Sequence, residues 1–136
     1  MSSYGLEILK EAECNELLRT QRVGRVGLSC GRPAVLPVLY GLLDGAVVFR
    51  TAPGEKLIAA ALNRDVVFEV DLIDLTQSSG WSVNVLGWAE EVTDPDELAR
   101  VEALGLESWA GEFRDRIIRI HAEAISGRRI VPATEG

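Results

Sequence analysis

The chain has 136 residues, 47% of them hydrophobic, which suits a single domain (1–136) around one core. Lys and Arg total 14 against 21 Asp and Glu, for a formal charge of −7, so the basic face of a nucleic-acid binder is missing. No run of about 18 apolar residues offers a membrane span. Met1-Ser2-Ser3-Tyr4-Gly5 lacks the basic patch and apolar stretch of a secretory signal.

Residues 6 to 20 predict a helix, with Cys14, Leu17 and Leu18 at helical spacing among Glu and Lys. Arg22 to Cys30 changes period and predicts a strand, in which Gly24 and Gly27 allow close backbone contact. Gly31-Arg32-Pro33 is a turn. Ala34 to Leu43 follows as an apolar strand with an edge or bulge at Pro37. Asp44-Gly45 is the clearest hairpin signal and joins that strand to Ala46–Thr51. Glu55 to Leu62 predicts a short helix, Val66 to Val70 a strand, and Asp71 to Gly80 a polar loop.

From Trp81 to Val92 the period is two again. Asp94 then caps a helix, with Pro95 in the first turn, Glu97 at the capping-box position, and Leu98, Val101 and Leu104 on one face. Residues 117–120 and 125–131 predict the closing strands, and the tail from Pro132 is loose. Six or seven strands in antiparallel hairpins, with three helices in the connections, favour a closed or split antiparallel barrel. A doubly wound dinucleotide fold is disfavoured because no G-x-G-x-x-G is present.

Cys14 and Cys30 lack C-x-x-C spacing and fit a reducing cytoplasm. With His121 the sole histidine, no metal site is expected.

The chemistry concentrates at the corner from Phe49 to Lys56. A strand ends in Phe49-Arg50-Thr51, Ala52-Pro53-Gly54 turns the chain, and Lys56 lies in the first turn of the next helix. A helix N-terminus presents free N–H groups to an anion. A guanidinium binds phosphate bidentately, a lysine adds a point charge, and Thr51 adds a hydroxyl. The other reading is that Arg50 and Lys56 are ordinary solvated charges at a strand end.

Five segments in this order resemble the pyridoxamine 5'-phosphate oxidase-like, FMN-binding split-barrel family. They are Arg22-Val23-Gly24-Arg25-Val26-Gly27, Pro37-Val38-Leu39-Tyr40, Phe49 through Leu57, Gly80-Trp81-Ser82-Val83, and Ile125-Ser126-Gly127-Arg128-Arg129-Ile130. The resemblance implies a mainly β fold with short helices, a six-stranded antiparallel split barrel. It also implies a homodimer with FMN sites at the subunit interface. It assigns the FMN phosphate to Arg50, Thr51 and Lys56, beside Phe49 and Leu57. The flavin ring falls to Pro37, Val38, Leu39 and Tyr40, with Trp81 near it and Arg128 reaching across from the partner subunit.

Trp81 equally suits core packing or a dimer contact, Tyr40 a plain strand aromatic, and Arg128 with Arg129 a solvated pair. The last strand carries Gly127-Arg128-Arg129-Ile130 where the classical enzymes have an Arg-Leu-His-x-Arg type segment, which turns the expectation away from pyridoxamine phosphate oxidation. The function implied is an FMN-dependent oxidoreductase with a small-molecule electron donor and acceptor and no catalytic side chain of its own. The alternatives are a deazaflavin-dependent reductase on the same fold and a non-enzymatic flavin-binding dimer.

Overall fold

A computed structural model of the chain describes residues 4–52, 54–106 and 116–132. The elements in order are β1 (Tyr4–Ile8), α1 (Glu11–Leu18), β2 (Val23–Cys30), β3 (Arg32–Leu43), β4 (Ala46–Thr51), α2 (Lys56–Ala61), β5 (Asp65–Asp74), β6 (Ser79–Glu91), α3 (Pro95–Glu102) and β7 (Arg116–Pro132).

The strands form one antiparallel sheet in the order β1-β7-β4-β3-β2-β5-β6, and β6 pairs back onto β7. Six strands therefore close into a ring. β1 stays outside the ring on the margin of β7. β4 covers Arg116–Ile120 of that margin and β1 covers Arg128–Pro132. Near the β1 end of the gap between them, the Leu9 N–H donates to Gly127 O at 3.0 Å and leads into α1. A Cβ on Gly127 would lie 2.6 Å from Cys14 Sγ, so glycine is what lets α1 approach β7 this closely.

The barrel is split along β3. β2 pairs with Arg32–Leu39, whereas β4 pairs with Tyr40–Leu43 alone. Pro37 thus lies where the β4-facing margin is open, and its missing N–H breaks no ladder. At the β3–β4 hairpin, Asp44 (φ 51°) and Gly45 (φ 81°) take the two left-handed positions that a tight hairpin needs.

Alternate residues fill the interior: Val26 and Leu28, Val38 and Tyr40, Val47 and Phe49, Phe68 and Val70, Val83 and Val85, Ile118 and Ile120. Cys14 and Leu18 of α1 and Ile58 and Ala61 of α2 join this cluster. A second cluster lies outside the barrel, where Leu98 and Val101 of α3 pack on Leu43, Val48, Val92 and Ile117. The Asp94 cap is present, its carboxylate accepting from the Glu97 N–H at 3.0 Å.

Three predicted elements come out differently. The helix expected from residue 6 begins at Glu11, because residues 4–8 pair with the end of β7. The expected loop 71–80 is mostly strand: β5 and β6 stay paired out to Asp74 and Ser79, where the chain turns through Ser78 at φ 50°. The two expected closing strands are one strand, β7. Its register against β6 shifts at Leu86/Gly87, leaving Glu123 as the extra residue of a bulge. Pro53, Trp109 and the tail beyond Pro132 lie outside the described residues.

Candidate functional site

Strand alternation decides what the predicted corner presents. Val47 and Phe49 pack inside the barrel, whereas Val48 packs under α3 on the outside. By the same alternation, Arg50 follows Val48 outward and Thr51 follows Phe49 inward. Arg50 and Thr51 therefore do not converge through their side chains. Phe49 is fully buried, and Thr51 is 8% exposed. Arg50 is 17% exposed, and its Nη2 donates to Glu102 Oε1, at the end of α3, at 2.8 Å.

Lys56 opens α2 with its side chain exposed, and Leu57 is also exposed. The α2 N-terminus is not free for an anion. Glu55 caps it, its Oε1 accepting from the Leu57 N–H at 2.7 Å. The helix amides counted on for a phosphate are thus partly taken by the chain's own carboxylate.

The segment from Pro37 to Tyr40 alternates in the same way. Val38 and Tyr40 are core residues. The Tyr40 ring meets Phe68 edge-on at 4.8 Å, and its hydroxyl donates to Leu18 O at 2.5 Å. Burial pushes its pKa up to about 12. Pro37 is exposed and Leu39 half-buried, so these two side chains are the ones the segment offers on the outer surface.

Leu39 and Gly41 line a cleft of about 150 Å³ together with Arg22, Leu104, Gly105 and Leu106. A Cβ on Gly41 would lie 3.0 Å from Leu106 Cδ2, so the turn after α3 rests directly on β3. Two outward-facing residues of the predicted site, Arg50 and Leu39, therefore meet at the same place: the end of α3 and the turn behind it.

Trp81 is half-buried and packs against the barrel core, with Leu72 and Arg129 as its cross-strand partners. Arg128 is exposed opposite Ser82. Its neighbour Arg129 is held by Glu13 at 3.0 Å and Glu7 at 3.4 Å.

Two groups escaped the sequence reading. Glu102 is the first; nothing local marks it as a partner of a residue 52 positions away. The second is Glu69 with Asp71. Their i, i+2 spacing puts both carboxylates on one face because β5 runs on past the expected strand end at Val70. Arg25 lies 3.2 Å from Glu69 and 3.6 Å from Asp71. Burial, aided by the adjacent Asp71, raises the Glu69 pKa to about 7 against the pull of Arg25. Arg25 is also the cross-strand partner of Pro37, so this cluster adjoins the outer surface of β3.

His121 stacks on Trp88 at 4.1 Å and contacts Glu90 Oε1 at 3.0 Å. Among the described residues no group of three metal-ligating side chains occurs, and no helix is long and apolar enough to cross a membrane.

The sequence profile of the pyridoxamine 5'-phosphate oxidase family matches residues 10–129. The Mycobacterium tuberculosis protein Rv0080 is 36% identical over 129 residues, covering 90% of this chain and 84% of that protein. A solved structure of an FAD-binding protein from Mycobacterium smegmatis is 35% identical, with a TM-score of 0.80 over 90% of this chain and 98% of its own. An FAD-binding protein from Mesorhizobium loti is 27% identical, with a TM-score of 0.75 over 93% of this chain and 98% of its own. On this sequence match and the split barrel that accompanies it, the chain belongs to the pyridoxamine 5'-phosphate oxidase family.

Proposed function

We propose that the chain is a flavin-binding protein that takes FMN, or the FMN half of a larger flavin, against the outer surface of β3 and β4 and serves as a flavin-dependent oxidoreductase. The observation that carries this reading is the 35% identity, at a TM-score of 0.80, to a protein that binds FAD. The residues present fit a phosphorylated flavin in part. Arg50 and Lys56 flank the β4–α2 corner and supply two positive charges to a chain whose net charge is −7. Thr51 keeps its side chain on the barrel side, so the phosphate charge falls to Arg50 and Lys56. Pro37 and Leu39 offer apolar contact to a ring, while Val38 and Tyr40 support it from inside.

A bound flavin would supply two-electron, hydride-transfer chemistry, and the protein supplies orientation and a dry face. A second copy of the chain completes the site in this reading. The exposed apolar band of Val35 and Leu86, which lines a groove of about 360 Å³ with Val67, is consistent with such a partner.

The test is a fluorescence titration with FMN, FAD, riboflavin and a deazaflavin. Wild type quenches FMN, and the Arg50→Ala, Lys56→Ala double variant weakens FMN by roughly 10- to 100-fold while leaving riboflavin unchanged, the scale of lost charge-assisted hydrogen bonds. Equal FMN affinity in wild type and double variant would sink the phosphate assignment. Tighter binding of the deazaflavin would replace the cofactor. Reduction of the loaded protein by a nicotinamide, followed by turnover with an acceptor, separates an enzyme from a flavin carrier.

A further inference from the structure

We infer that Glu102 is a resident counter-anion of Arg50, a built-in competitor that a ligand phosphate must displace; this rests on the reading of Arg50 as a phosphate-binding residue. Arg50 is largely buried at 17% exposure, whereas Glu102 is 69% exposed, so the carboxylate can leave for water at little cost and the guanidinium cannot. Glu102 is the last residue of α3. A carboxylate at a helix C-terminus opposes the helix dipole, so its position is explained by Arg50 and not by α3.

The rest of α3 does not depend on this contact. The helix is capped by Asp94, its Glu97 pairs with Arg119 at 2.7 Å, its Arg100 pairs with Asp44 at 2.6 Å, and Leu98 and Val101 pack on the barrel. Losing the Arg50 contact therefore leaves α3 docked. The turn that follows Glu102 lines the Leu39 cleft, so displacement of the carboxylate occurs at the margin of the same cleft.

The experiment measures FMN and riboflavin affinity for wild type, Glu102→Gln, Glu97→Gln and Arg50→Ala. Glu102→Gln keeps the side-chain size and removes the competing charge. It tightens FMN roughly two- to fivefold, the scale of a surface ion pair, and leaves riboflavin, which lacks the phosphate, unchanged. Glu97→Gln removes an α3 ion pair that does not touch Arg50 and leaves both affinities at wild-type values. An unchanged or weaker FMN affinity in Glu102→Gln overturns the competitor role, and so does an equal gain in Glu97→Gln, which would point to loosened helix docking. If Arg50→Ala binds FMN as wild type does, the phosphate reading itself falls. If Arg50→Ala weakens FMN and Glu102→Gln does not tighten it, the role of Glu102 alone falls.

Discussion

Replacing Tyr40 by Phe separates a core residue from a flavin-lining one. Tyr40 is 4% exposed, its ring is fixed against Phe68, and its hydroxyl satisfies the Leu18 carbonyl at the end of α1. Phenylalanine keeps the ring contact and leaves that buried carbonyl without its donor, which costs about 1–3 kcal/mol. With an unfolding entropy of about 2.1 cal/mol/K per residue, a chain of 136 residues loses roughly 3.5 °C in Tm per kcal/mol. Tyr40→Phe is therefore expected to melt roughly 3 to 10 °C below wild type. Because the ring points into the barrel, FMN affinity stays within about twofold of wild type on a scale where tenfold is 1.4 kcal/mol.

The pH dependence has a definite sign. Burial raises the folded-state pKa of Tyr40 from 10.0 to about 12, above its unfolded value. The stability linked to its proton is thus full below pH 10 and lost as pH rises through 12. At 1.36 kcal/mol per pKa unit, the loss is on the order of 2 to 3 kcal/mol, and the variant lacks it. Thermal melts by circular dichroism from pH 8 to pH 11.5, beside FMN titrations at pH 7.5, read both effects. Melting equal to wild type, or a tenfold loss of FMN affinity, would refute the placement of Tyr40 in the core.

Other substitutions test neighbouring parts of the structure. Gly127→Ala sets a methyl group 2.6 Å from Cys14 Sγ and 3.2 Å from Ser82 O, and is expected to cost about 1–3 kcal/mol by urea denaturation. Adding Cys14→Ala should recover part of that loss, since the sulfur is the nearest of three close contacts, Leu9 Cδ1 at 3.1 Å being another; full additivity would argue against the contact. Asp94→Ala removes the α3 cap and is expected to cost about 1 kcal/mol, with little change in flavin binding. Glu69 is protonated more readily in the folded state than unfolded, with a pKa raised from 4.5 to about 7, so its contribution is present below pH 4.5 and lost as pH climbs to 7. Glu69→Gln should therefore flatten the stability curve across that window; an unchanged slope in urea melts counts against the burial that raises this carboxyl.

Much of the barrel was legible because its signals are local. Asp44-Gly45 needs two left-handed residues and specifies its hairpin wherever it lies. Asp94, Pro95 and Glu97 mark a helix start by short-range hydrogen bonding. The period of two from Trp81 onward specifies a half-buried strand. Where an element answers to a distant partner the reading broke down: residues 4–8 became a strand because the end of β7 offered an unpaired margin.

The Phe49–Lys56 corner divides along the same line. Its residue types, Arg50, Thr51 and Lys56 between a strand and a helix, belong to the sequence alone, and so does the family they point to. What each side chain faces belongs to the fold. Alternation on β4 sends Arg50 and Thr51 to opposite faces, but which face is interior depends on how six strands close. Glu102 meets Arg50 across 52 residues of chain because α3 packs on the outer surface of the barrel, and an ion pair brought together by packing leaves no trace in local spacing.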